Sequence, residues 1–234
     1  MDVTGWLMQF GLTLQEARIY ACLHRSGRST GYELAKVTGI SRSNTYAGLS
    51  SLVEKGAAHK ADGKPVRYVA VPVDEFCKNI IRELRTVRKL LEKNLPGAGE
   101  ADEGYLTIQG PHNIRNKIEN LIADTEHRIY ISMPYSLLEP LLPSLTVLLE
   151  KGKKVVVITD GPLMLDGAIL YRAAEPAAHI RIIRDTAVAL TGNLDDTPGC
   201  SCLYSAKENL VSLLRDSMRG EIRLIELAGE GAAD

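Results

Sequence analysis

The chain has 234 residues, enough for two compact domains, and 28 Lys+Arg stand almost level with 29 Asp+Glu. The distribution is uneven: residues 1–95 carry 15 Lys+Arg against 9 Asp+Glu, and residues 96–234 carry 13 against 20. A basic first part suits contact with a polyanion, and an acidic second part argues against nucleic acid lying across the whole molecule. No early run is apolar or long enough for a signal peptide or a membrane span, which predicts a cytoplasmic protein without membrane partners.

Residues 13–71 read as three short helices followed by a basic hairpin. Thr13-Leu-Gln-Glu16 and Thr30-Gly-Tyr-Glu33 are capping boxes, in which the hydroxyl and the glutamate each satisfy an orphan N–H. Ser41 is an N-cap for the third helix, and Gly27, Gly39 and Gly56 stand where helices must stop. On the third helix, residues 41–55, the spacing puts Thr45, Leu49, Leu52 and Val53 on one face. Ser43, Asn44, Ala47 and Ser50 fall opposite, with Arg42 at the N-terminal lip and Tyr46 on the flank. A solvated helix would more often carry Glu and Lys there. Small residues permit close approach to a groove floor, and Arg and Asn suit guanine and adenine edges.

Two short extended runs, 57–60 and 66–71, follow as a wing joined through Ala61-Asp62-Gly63-Lys64-Pro65. His59, Lys60, Lys64 and Arg67 cluster there as phosphate contacts. Residues 1–72 are therefore expected to form a winged helix-turn-helix. Residues 73–95 read as one helix, with Asp74 and Glu75 in the first turn. Val73, Phe76, Ile80, Leu84, Val87 and Leu91 recur three and four apart, a coiled-coil seam for a second copy. The same stripe could instead pack on the second domain of its own chain. Pro96-Gly-Ala-Gly-Glu100 begins a linker, residues 96–104.

Residues 105–234 alternate strand and helix, which predicts an α/β sandwich with a largely parallel sheet. Strands are expected at 105–109, 128–133, 153–159, 179–184, 186–191 and 221–227. Helices are expected at 111–125, 136–151 and 205–219, the last opened by the capping box Ser205-Ala-Lys-Glu208. The carboxyl ends of parallel strands are the default ligand crevice, which nominates Ser132, Met133, Tyr135, Thr159, Asp160 and Asp185 for a small-molecule effector. Cys200-Ser-Cys202 lacks the two-residue spacing of zinc ribbons and thioredoxin-like motifs. No metal and no cofactor are expected.

Several segments together resemble the TrmB family of transcriptional regulators. They are Phe10-Gly-Leu-Thr13 with Glu16-Ala-Arg-Ile-Tyr20, Ile40-Ser-Arg-Ser43 with Tyr46, and Leu49-Ser-Ser-Leu-Val-Glu-Lys-Gly56. Pro65-Val-Arg-Tyr68 with Val71-Pro72 resembles that family's wing and its exit. Ile108-Gln-Gly110 with Asn113-Ile114 and Ile118, then Arg128-Ile-Tyr-Ile-Ser132, is similar to its effector domain. The resemblance implies that this domain has the fold of half a phospholipase D. The catalytic His-x-Lys-x4-Asp of those enzymes is missing: with Asp185 as the acid, the His and Lys places fall on Ala178 and Ile180. Many members of the family bind sugars, the longer ones through a further carboxy-terminal β domain for which this length leaves no room. A sugar is therefore not carried over.

These readings converge on a homodimeric, sequence-specific regulator that binds palindromic double-stranded DNA and answers to an effector of unknown identity. Three alternatives stay open. One is a phosphodiesterase or nuclease of phospholipase D type targeted by the winged helix. Another is a protein-interaction adaptor, and the third is a thiol or metal sensor built on Cys200 and Cys202.

Overall fold

The structure is a computed structural model that describes residues 2–96, 104–175, 177–197 and 199–230. Most of the expected linker, 96–104, lies outside the described residues. The chain divides into two compact units, 1–98 and 99–234.

In the first unit, α1 (Val3–Gln9) precedes the expected helices and is capped by the Asp2 carboxylate, which accepts from Gly5 N at 2.9 Å. Then come α2 (Leu14–Ser26), α3 (Gly31–Thr38) and α4 (Arg42–Glu54). Both capping boxes form: Thr13 N donates to Glu16 Oε2 at 2.7 Å and Thr30 N to Glu33 Oε2 at 2.7 Å. Ser41 Oγ accepts from Asn44 N, and Gly39 ends α3 at φ +70°, a left-handed backbone that favours glycine. Strands β1 (Ala58–Ala61) and β2 (Arg67–Ala70) pair antiparallel as the wing, and Ser29 extends that ladder by bonding Tyr68 in both directions. One core joins Leu7, Ile19, Tyr20, Leu23, Leu34, Leu49, Leu52 and Tyr68.

Glu16 ties two of these helices together. Lys55 Nζ, just past α4, donates to Glu16 Oε2 at 2.6 Å and to the Gly11 carbonyl at 2.9 Å. Burial alone would raise this carboxyl, but donors from Lys55, the Thr13 N–H and Ser51 outweigh it and hold the pKa at about 2. A depressed carboxylate contributes stability above its ordinary range and loses it as pH falls through the folded value. Glu16→Gln is thus expected to cost on the order of 3 kcal/mol at neutral pH. That cost should shrink as pH drops below 4.5 towards 2. Urea unfolding across pH checks this; a cost independent of pH contradicts it.

Helix α5 (Val73–Asn94) starts inside this unit. Phe76 is fully buried and its ring lies 5.8 Å from that of Tyr20, while Cys77 and Ile80 pack on the same core. That corrects the expected seam: Phe76 is committed to its own domain and Ile80 largely so. Leu84, Val87 and Leu91 remain exposed.

The second unit is a seven-stranded mixed sheet between two helical layers. Its strands are β3 (Leu106–Gln109), β4 (Arg128–Ser132), β5 (Lys154–Thr159), β6 (Ile169–Arg172), β7 (Ile180–Arg184), β8 (Val188–Gly192) and β9 (Ser201–Ser205). Their spatial order is β3-β9-β8-β7-β4-β5-β6, and only β4-β5 and β5-β6 are parallel. The expectation of a largely parallel sheet is therefore wrong. β7 turns directly back into β8 through Asp185 and Thr186, both with positive φ, a primed turn without glycine.

Helices α6 (Pro111–Ala123), α7 (Tyr135–Leu138) and α8 (Leu142–Glu150) pack on one face, with Ile129, Ile131, Val155, Val157, Ile182 and Leu190. The single helix expected at 136–151 is broken by a 3-10 turn at Glu139–Leu141, where Pro140 and then Pro143 lack the N–H a continuous helix needs. On the other face α9 (Glu208–Glu230) covers Ile158, Ile183 and Ala189 with Leu210, Val211, Leu214 and Met218. The strand expected at 221–227 is the second half of this helix, since Ile222 and Ile225, three apart, both face the sheet. The capping box expected at Ser205 does not form. Ser205 ends β9, donates to the Gly104 carbonyl and accepts from Lys207 N.

Candidate nucleic-acid interface

The exposed face of α4 is the one the sequence marks. Arg42, Ser43, Asn44, Tyr46, Ala47 and Ser50 are all solvent-exposed, while Thr45, Gly48, Leu49 and Leu52 are buried. Thr45 is held by its hydroxyl, which donates to the Ser41 carbonyl at 3.0 Å. The inward residues thus fix the rotation of α4, and the outward ones face solvent without a covering element in their own unit.

Two features were not legible in the sequence. The Arg42 guanidinium lies over the Tyr32 ring, 4.4 Å from its centroid, a cation–π contact that orients the cation from the neighbouring helix. The Tyr46 ring lies across the start of α3, where a Cβ on Gly31 would meet Tyr46 Cε1 at 2.5 Å. Glycine at 31 is what lets that ring sit down. Tyr32 and Tyr46, with Lys60 and Arg67, line a groove between α4 and the wing.

On the wing, His59, Lys60 and Lys64 are exposed. Arg67 is half-buried and donates to the Arg28 carbonyl at 3.4 Å, so it stands further back than the other three. Arg28, beside it, is an exposed cation outside the phosphate contacts expected from the sequence.

The six residues nominated for an effector do not form one site. Asp185 is at the opposite end of the sheet from the others, because β7 runs antiparallel to β4. Its carboxylate accepts backbone N–H bonds from Glu126, His127 and Arg128 at 3.0, 2.8 and 2.8 Å. Met133 is fully buried in the core, and Ser132 is buried on the α9 face, accepting from Arg181 at 2.7 Å. Tyr135, Thr159 and Asp160 do come together, but Asp160 Oδ1 accepts from Tyr135 N at 2.8 Å as a cap on α7. Arg181 also donates to Ser217 and, at 2.6 Å, to Glu221, a network invisible while 221–227 is read as strand.

Cys200 and Cys202 are buried and unbridged, and burial with the neighbouring Cys200 pushes the Cys202 thiol up to about 11. That leaves little of the thiolate on which redox or metal chemistry depends. Among the described residues no three His, Cys, Asp or Glu side chains gather as a metal site, and no helix is long and apolar enough to cross a membrane.

Two protein-family models match the chain. "Sugar-specific transcriptional regulator TrmB" covers residues 7–74, and "Transcriptional regulator TrmB, EBD N-terminal subdomain" covers residues 105–200. The uncharacterized protein YrhO of Bacillus subtilis is 29% identical over 171 residues, covering 70% of this chain and 61% of that protein. TrmBL1, an HTH-type sugar sensing transcriptional regulator of Pyrococcus furiosus, is 29% identical over 220 residues, covering 87% of this chain and 63% of the relative. The chain therefore spans somewhat under two thirds of the length of these curated relatives. Among solved structures, the archaeal chromatin protein TrmBL2 aligns with a TM-score of 0.46 at 18% identity, covering 93% of this chain and 95% of that one. NucT from Helicobacter pylori aligns at 0.43 and 9% identity, over 51% of this chain and 96% of that one. With one family model on the winged unit and another on the sheet unit, the chain belongs to the TrmB family of transcriptional regulators.

Proposed function

We propose that the chain is a sequence-specific transcriptional regulator that acts as a homodimer on palindromic double-stranded DNA in the cytoplasm. The observation that carries this reading is the bare outer face of α4, small and polar, with Arg42 stacked on Tyr32 at its leading end and a basic wing alongside. In this reading Arg42, Ser43, Asn44 and Tyr46 read base edges, with Ala47 and Ser50 allowing close approach to the groove floor. His59, Lys60 and Lys64 hold backbone phosphates, with Arg67 supporting the wing from behind. The exposed part of α5, through Leu84, Val87 and Leu91, joins the two arms. The sheet unit receives a small-molecule effector that favours one dimer geometry, which requires unequal affinity for the two geometries.

Arg42→Ala is expected to weaken binding to the selected operator by about 1–3 kcal/mol and to relax preference at one base position. Selection of bound duplex from a random pool, followed by titration, measures both quantities. Unchanged affinity and an unchanged consensus would refute the role.

No catalytic activity is assigned in this reading. His179 and Asp185 stand at opposite ends of β7, the His179 ring is engaged with Asn193 at 2.6 Å, and the Asp185 carboxylate is occupied by three backbone N–H groups. A nucleophile and its orienting acid need to be within hydrogen-bond reach.

A further inference from the structure

We propose that the second unit binds a small organic carboxylate with a compact apolar body, in the cavity between α9 and the start of β4. The cavity has a volume of about 130 Å³ and a floor of Tyr130, Ile183, Met218 and Ile222. A void of roughly 150 Å³ takes a benzene-sized molecule, so this one suits a ligand of about that size.

Three guanidinium-bearing side chains, Arg128, Arg215 and Arg219, also line it. Among the described residues, the carboxylate paired with Arg215 and Arg219 is the exposed Asp216, 3.7 Å from Arg215 Nε and 4.0 Å from Arg219 Nη1. Among the described residues Arg128 has no ion-pair partner. The neighbouring Asp185 carboxylate is directed at backbone N–H groups and stands 3.9 Å from Arg184. The cavity thus holds a surplus of cations above an apolar floor.

Arg215 supplies the sharper observation. Its Nε is shielded from solvent and lacks a hydrogen-bond partner, since Asp216 is too distant to accept. A buried donor without an acceptor is disfavoured, and a carboxylate oxygen would satisfy it once the Arg215 side chain turns its Nε toward the cavity. Guanidinium forks also match a planar carboxylate in two parallel bonds. At the rim, Thr186 holds a β-branched side chain in the left-handed region at φ +56°, its hydroxyl donating to the Asp185 carbonyl. Such conformations cluster at ligand clamps.

The site does not depend on the regulatory reading above; only its use as an effector site does. The test is calorimetric titration of the full chain, without DNA, with benzoate and with its neutral isostere benzamide. Benzoate is expected to bind at a single site, with benzamide at least about tenfold weaker, and Arg215→Gln to weaken benzoate by a similar factor. Arg128→Gln, at an exposed position, gives the same readout if the Arg215 variant fails to fold. Absence of benzoate binding at millimolar concentration, equal binding of benzamide, or undiminished affinity in the folded variants would overturn the site. Because DNA takes no part in the titration, failure of operator binding would leave its outcome untouched.

Discussion

Glutamate at both Leu84 and Leu91 is expected to split the proposed dimer and to lower affinity for its proposed palindromic operator on the order of 100-fold. Phe76 and Ile80 secure the start of α5 to the winged unit, so the helix leaves that unit in a fixed direction. Beyond them Leu84, Val87 and Leu91 are 62%, 48% and 51% exposed, an apolar row without cover in its own unit. In the proposed dimer, burying that row against a second copy would remove apolar surface from water and fix the separation of the two reading helices. Two charges in the seam would carry a desolvation cost into every dimer. Sedimentation equilibrium and duplex titration measure the two effects together. Each positions an exposed residue, so the unfolding midpoint of the winged unit should hardly move. A variant that remains dimeric with full operator affinity would remove α5 as the joint.

Asp185→Ala is expected to destabilise the sheet unit by about 2–4 kcal/mol, because three charge-assisted hydrogen bonds go together and three N–H groups lose their acceptor. The turn suffers as well, since aspartate tolerates φ +51° better than alanine does. Burial works to raise this carboxyl, but the N–H groups of Glu126, Arg128 and His127, with the Arg184 charge, hold it below the ordinary aspartate range. Its contribution is therefore present above that range and lost as pH falls through it. Chemical denaturation at pH 7 and at about pH 2.5, below the ordinary aspartate value of 3.8, reads both the size and the sign. Equal stability of the two proteins at pH 7, or a deficit that grows on acidification, would show that Asp185 does not anchor β4.

What could be read ahead of the structure was mostly local. Thr13 with Glu16, Thr30 with Glu33, and Ser41 each act within three residues, so their spacing alone specifies the caps that form. Ser205-Ala-Lys-Glu208 has identical spacing and fails, because Ser205 is already held in β9. Periodicity was ambiguous in 221–227, where Ile222-Arg-Leu224 alternates like a strand while Ile222 and Ile225 share a helical face. The sequence puts Asp185 at the wrong end of the sheet because strand direction is not encoded in an apolar run, and the reversal after β7 uses a turn without its usual glycine. Strand β6, mostly exposed at a sheet edge, offered little apolar signal. On α5, a three-and-four spacing records that a face is covered but not by what, so Phe76 and Leu84 looked alike. The stacking of Arg42 on Tyr32 joins two helices and belongs to tertiary structure alone.

The claim on which the regulatory reading stands is that α4 and the wing grip duplex DNA. It is tested most directly by the affinity of the full chain for a pool-selected duplex as a function of salt, for the native protein and for Lys64→Ala. The native protein should bind tightly, with log affinity falling steeply against log salt at a slope of about −0.9 per phosphate engaged. Lys64→Ala should weaken selected and unrelated duplexes alike and flatten that slope by roughly one. Salt-independent binding, no binding to any duplex, or a Lys64→Ala loss confined to one sequence would contradict it.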